Sequence, residues 1–305
     1  MLNSFFFFVL NNRSFAGSIH KNAMMRKVKA IKTAMAAHMP GLKTWRAMPS
    51  PGLNMLDPYL FMNHHGPEHF PPNNNGLPFG PHPHRGFETL TFIVEGELVH
   101  KDSQGFESRI VKGGVQWMTA GAGIIHSETS SDEFLEKGGD MEILQLWINL
   151  PSKLKGTPPH YQGFQKESIP EIPISDGVHL NLISGSFKEQ NGPVESPYPQ
   201  FMSTIEAKAG SEFTFETSDD VLYFYLVSGS IELNGQAVNK RQTVVFENEA
   251  GELSIKVHAD AYIILGQAPE IKEPVVAHGP FVMSSEAEIH QAIEDYQNGK
   301  MGTWK

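Results

Sequence analysis

From residue 87 the chain alternates short apolar, β-branched runs with turn residues. FETLTFIVEG, ELVHKD, ESRIVKG, VQWMTAG, IIHSET and MEILQLWINL follow in turn, punctuated by stretches such as DSQG and KGG. Short β runs with no helical period between them predict an antiparallel sheet or barrel rather than βαβ units. The style returns in SEFTFET, VLYFYLVSG, SIELNGQAV, QTVVFEN and ELSIKVHADAYIILG, where Asn234-Gly235 between alternating runs predicts a tight hairpin. Val94-Glu95-Gly96-Glu97-Leu98 recurs 133 residues later as Val227-Ser228-Gly229-Ser230-Ile231, so two copies of one small β-barrel are expected.

Around these runs the pattern is sparser. Residues 25–48 alternate weakly and have room for an early strand. From Pro49 to Gly86 the chain is dense in Pro, Gly and Asn, which predicts a loop, because proline removes ladder donors and fixes φ. Pro151, Pro158 and Pro159 mark a linker. Ser285 and Glu288 form a capping box; Ile289, Ala292, Ile293 and Tyr296 make one apolar stripe, and Gly299 stops the helix. The expected fold is therefore all-β, two tandem jelly-roll-like β-barrels with a short C-terminal helix. Residues 25–165 would form the first domain and 166–305 the second, with 1–24 as an extension. The basic stretch Arg13 to Lys32 and the apolar SFFFFVL have some traits of a transit or signal peptide, but no charged segment precedes the apolar run and no A-x-A-like site follows it.

Composition narrows the function classes. The 305 residues carry a formal charge of −10, which argues against a basic surface for nucleic acid. Residues 1–46 hold eight of the 24 Lys and Arg and no acid, so the other 16 face all 34 acids and the remainder stands near −18. No apolar run reaches the ~18 residues of a membrane span. With no cysteine, disulfides and thiolate metal sites are excluded, and His and carboxylates remain as the strong ligands. A cytoplasmic location is the expectation, with no membrane and no direct nucleic-acid contact.

Two pairs carry the candidate chemistry. Side chains at i and i+2 of a strand share a face, so His82 and His84 can reach one point inside a barrel. His126 and Glu128 repeat that spacing on a later strand. On neighbouring strands the two pairs would converge as three imidazoles and one carboxylate, a donor set compatible with several transition metals. A shift of 133 carries His82 and His84 onto Phe215 and Thr217, and His126 and Glu128 onto Ala259 and Ala261, so the second barrel is expected to lack a counterpart. Glu88 is expected by parity to face inward with the histidines. Arg85 and His100 are expected to point outward, and His64, His65 and His69 to sit in the loop as solvated or entrance groups.

The spacing of His82, His84 and Glu88 followed by Gly96 resembles the first cupin motif, and GGVQWMTAGAGIIHSE an altered second one lacking its proline. LDPYLFMNHHGP, HPHRGFET, WMTAGAGIIHSE, LQLWINLP and HGPFVMSSEAEI resemble, in order, segments of the pirin family, over roughly residues 25 to 303. That resemblance implies one divalent metal, iron first with Ni, Co, Cu, Mn or Zn compatible, held by His82, His84, His126 and Glu128. Glu88 and Gln116 are then pocket or outer-sphere groups. It also implies a quercetin 2,3-dioxygenase-like activity on a small aromatic polyhydroxy substrate with dioxygen, in which Glu128 serves as general base and the ring opens with loss of carbon monoxide. The alternative it implies is a metal- or redox-gated regulatory protein that binds a transcription factor, as animal pirins do, or a metabolic enzyme, as other pirins do.

Overall fold

The computed structural model describes residues 24–304; the extension expected over residues 1–24 lies outside the described residues except for its last position. Two β-barrels stack side by side. The first is built from two facing antiparallel sheets. Its seven-stranded sheet runs in the order His160–Phe164, Val115–Thr119, Phe87–Glu95, Gly139–Asn149, Tyr59–Phe70, Thr44–Met48, Met35–Ala37. The four-stranded sheet opposite runs Phe79–His84, Ile124–Thr129, Glu97–Asp102, Glu107–Val111. The second barrel is one continuous nine-stranded sheet, in which the long strands Val221–Leu233 and Gly251–Ala268 pass from one layer to the other.

The seven-stranded sheet is buried on both faces, and this is why FETLTFI reads as an unbroken apolar run rather than a strict alternation. Thr91 and Ile93 point into the barrel. Leu90 and Phe92 point out and join Trp117, Leu144, Leu146 and Ile148 in a core shared with Tyr223, Tyr225, Val227 and Ile264 of the second barrel. The second barrel is filled by its own side chains, Phe213, Phe215, Leu226, Leu253 and Ala261 among them. The internal repeat is structural: Gly96 and Gly229 both adopt positive φ, +83° and +89°. A Cβ at either would lie 2.6 or 2.4 Å from a carbonyl oxygen, of Asp140 and Asp260 respectively. Only glycine allows that close crossing. Asn234 and Gly235 form the predicted turn, both with positive φ.

The expected loop over residues 49–86 is corrected, since it contains the strands Tyr59–Phe70 and Phe79–His84. Its prolines sit where a strand tolerates them. Gly66 and Pro67 fall at the register shift where His65 pairs with Ile143 and Glu68 with Met141. Pro81 and Pro83 lie on an edge strand, which needs donors on one side only.

Chain order and packing also part company at both ends. Val28–Thr33, expected in the first domain, is hydrogen-bonded to Gln242–Phe246 and completes the second barrel's sheet. Arg26 beside it is 1% exposed, its guanidinium donating to the carbonyls of Ser218, Asp220 and Glu247. The terminal helix, Glu286–Gln297, begins at Ser285, whose Oγ accepts from Glu288 N as the capping box predicts. It docks back on the first barrel, packing Ile289 and Ala292 against Ile125, Phe281, Met283 and Met301. Buried Lys155 fixes the approach of this segment by donating to the carbonyls of Gly86 and Val282 and to Asn149 Oδ1. No helix among the described residues is long and apolar enough to cross a membrane.

Candidate metal centre

The edge strand bearing His82 and His84 lies antiparallel to Ile124–Thr129, with His82 directly opposite His126. Alternation then turns all three imidazoles to the barrel interior. Their ring centroids lie 4.4 to 5.0 Å apart, and one nitrogen from each falls within 4.8 Å of the others. Among the described residues this is the one such cluster of His and acidic side chains.

The outer nitrogens show what the inner ones offer. His82 Nδ1 is 2.7 Å from the Gly80 carbonyl and His84 Nδ1 3.2 Å from that of Pro280. A carbonyl only accepts, so both rings carry their proton on Nδ1 and present an Nε2 lone pair inward. These Nε2 atoms are 3.2 Å apart. His126 Nε2 is buried with no hydrogen-bond partner. Burial and the neighbouring histidines hold His126 well below the usual histidine range and His84 down to about 3. Imidazole nitrogens converging on one point, one of them buried without a partner, are what a cation would satisfy, so the donor set fits a transition metal.

Glu128 shares the strand face but stands outside this cluster. Its Oε1 accepts from Gln116 Nε2 and, at 3.2 Å, from Thr91 Oγ1, while Oε2 accepts from Gln145 Nε2 at 2.7 Å. Burial pushes this carboxyl up, against the opposing effects of His82 and the three donors. Gln116 thus meets Glu128 directly, and Tyr161 donates to its Oε1. Thr91 and Gln145 were missed by sequence reading, although each lies an even number of residues from an inward neighbour on its strand.

Beyond the histidines a row of aromatic rings leads outward. Trp147 lies edge-on to His84 at 5.2 Å and close to Phe87 at 4.5 Å and Phe61 at 4.7 Å. The Arg46 guanidinium covers Phe61 at 4.6 Å and donates from Nε to Asn63 Oδ1. Trp147, Phe61, Arg46, Gln145 and His82 are all part-exposed, so the row is open to solvent.

Several expected placements change. Glu88 faces away from the histidines: its Oε1 accepts from Trp117 Nε1 and Thr119 Oγ1, its Oε2 from Ser196 Oγ and Gln200 Nε2 across the junction of the barrels. Parity counted from His84 fails because the chain leaves one sheet at Arg85 and Gly86 and enters the other at Phe87. His100, expected outward, is fully buried against His126. Arg85 does turn away from the cluster, but onto Asp295 of the terminal helix. His64 bridges Glu142 and Tyr225, His65 meets Thr44, and only His69, paired with Asp140, is a surface group.

Residues 41–148 match the family model described as Pirin, and residues 202–302 the one described as Pirin C-terminal cupin domain. The chain is 38% identical to Pirin-1 of Arabidopsis thaliana, over 73% of this chain and 78% of that one. It is 33% identical to pirin of Rattus norvegicus, over 87% and 91% of the two chains. The crystal structure of quercetin 2,3-dioxygenase from Acinetobacter baumannii superposes with a TM-score of 0.85 at 33% identity, covering 92% of this chain and 99% of that one.

Proposed function

The chain belongs to the pirin family, and on that premise we propose that it is a metal-dependent dioxygenase for planar polyhydroxylated aromatics of the flavonol class. His82, His84 and His126 would hold one divalent transition metal, iron foremost, with Glu128 completing the set or standing beside it. The observation that carries this reading is the convergence of three histidines on one point beside a buried carboxylate, with His126 Nε2 left without a partner.

When bound, the metal supplies a Lewis acid for the substrate's enolic oxygen and a route for its electrons to dioxygen. The chain's own residues do the rest. Glu128, pushed up by burial, accepts the proton of the 3-hydroxyl as general base. Gln116, Gln145 and Thr91 hold that carboxylate in place. Trp147, Phe87 and Phe61 offer edges and faces to a flat ligand, and Arg46 at the outer end takes a phenolate or carbonyl oxygen.

The test is anaerobic loading with Fe(II), then quercetin and air, following loss of the flavonol absorbance. Turnover that vanishes in His126→Ala and falls at least a hundredfold in Glu128→Gln supports the proposal. Absence of turnover with Fe, Ni, Co, Cu and Mn alike would remove it.

A second reading, a metal-gated binding module, is favoured by one contact. His84 is hydrogen-bonded to Pro280, and Arg85 next to it is paired with Asp295, so the ligand strand touches the segment carrying the terminal helix. Capture of the same partners by ferrous and ferric protein would count against it.

A further inference from the structure

His126 is held from behind by two residues the proposed reaction does not use. His100, fully buried, lies flat on Tyr161 with ring centroids 4.0 Å apart and planes 21° from parallel. Its Nδ1 is 3.5 Å from His126 Nδ1 and its Nε2 is 3.1 Å from Asp102 Oδ2. The Asp102 side chain is 1% exposed. Its other oxygen accepts from the backbone N–H of Gln104 and Phe106, so the turn pins the carboxylate.

Protons in this chain can be assigned from its anionic end. A carboxylate only accepts, so His100 carries its proton on Nε2. A neutral imidazole has one proton, so His100 Nδ1 is bare and accepts. His126 must then donate from Nδ1, which leaves Nε2 as the lone pair facing the other histidines. We propose that Asp102 and His100 set the tautomer of His126 and so preorganise the cluster for a divalent cation, acting as positioning residues and not as ligands. The inference rests on the reading of His126 as a ligand.

The three histidines are not equivalent in this respect. His82 and His84 lean on neutral carbonyls, whereas the chain behind His126 ends on a buried negative charge. Such a charge strengthens the donor it reaches and favours the more positive state of the bound ion.

The experiment uses the full chain labelled with 15N-histidine. In the metal-free protein, long-range 1H–15N correlations read the His126 tautomer directly; Co(II) affinity is measured by chelator competition. The wild type should show Nδ1–H. Asp102→Asn keeps an oxygen for the turn but offers His100 an N–H, which reverses each step and moves the His126 proton to Nε2. Co(II) should then bind about 10- to 100-fold more weakly. His100→Gln can accept from His126 and donate to Asp102, so it should stay within a few-fold of wild type, while His100→Leu should match Asp102→Asn. An Nε2–H tautomer in the wild type, or unchanged tautomer and affinity in Asp102→Asn, would overturn the inference. Undiminished Co(II) binding by His126→Ala would instead sink the ligand reading, with the tautomer measurement left standing.

Discussion

Arg85 and Asp295 meet at 2.6 Å although 210 positions separate them, and Arg85 directly follows His84. The terminal helix is thereby tied to the strand that carries two of the proposed ligands. Arg85, then Lys300 and Gln291, hold the Asp295 carboxyl below the usual aspartate range. A depressed acid contributes fully above its unfolded value and loses its contribution only as pH falls through the folded one. Docking should therefore be insensitive to pH from 5 to 9. Asp295→Ala should speed limited proteolysis within residues 276–304 several-fold, with the barrels intact by circular dichroism. Equal rates for variant and wild type would show that the apolar face of the helix suffices.

Glu88 receives four hydrogen bonds at the junction of the barrels, two from each side. Glu88→Ala strands these donors in a buried site and should cost about 3 kcal/mol in urea unfolding. Glu88→Gln, still an acceptor at one oxygen, should cost roughly half of that by the same reasoning. Neither change should alter metal stoichiometry, because Glu88 faces away from the histidines. A loss of metal in Glu88→Gln would contradict this separation.

Acid should destabilise the metal-free protein early. Burial lowers His65 to about 3 and pulls His64 and His100 down as well. The unfolded chain takes up these protons near pH 6.5 and the folded one does not. Stability is thus whole above pH 6.5 and falls as pH drops from there toward 3. Each such histidine contributes a slope of up to ~1.4 kcal/mol per pH unit. Denaturation midpoints at pH 7 and pH 5 check this, and His65→Asn should flatten the difference.

The aromatic row makes a claim about binding that turnover alone does not test. If Arg46 reads an oxygen of the substrate, Arg46→Gln should raise the KM for flavonol about tenfold with little change in kcat, a loss of ~1.4 kcal/mol of uniform binding. Trp147→Ala should do more, since it removes the ring that stands between His84 and Phe61. A fall in kcat alone for Arg46→Gln would place Arg46 elsewhere in the reaction.

Much of this was legible in the sequence. Alternation, turn residues and the 133-residue repeat describe two barrels, and the i, i+2 spacings describe the histidine cluster. What escaped was set by contacts with no local signature. Thr91, Gln145 and Glu88 lie on strands buried on both faces, where composition cannot say which side meets the site and which the other barrel. His100 faces inward because its strand pairs Glu128 with His100 and His126 with Asp102, a register fixed across the sheet. The proline-rich stretch was misread because proline at an edge or bulge looks, in one dimension, like proline in a loop.

The exchange of chain ends has a further consequence. The first barrel owns a strand of the second, and the second returns a helix to the first. A polypeptide cut between residues 150 and 170 would leave two fragments, each lacking an element the other carries. Such halves should remain locked together as a non-covalent pair, and neither should mature in isolation, since each holds the missing piece of the other.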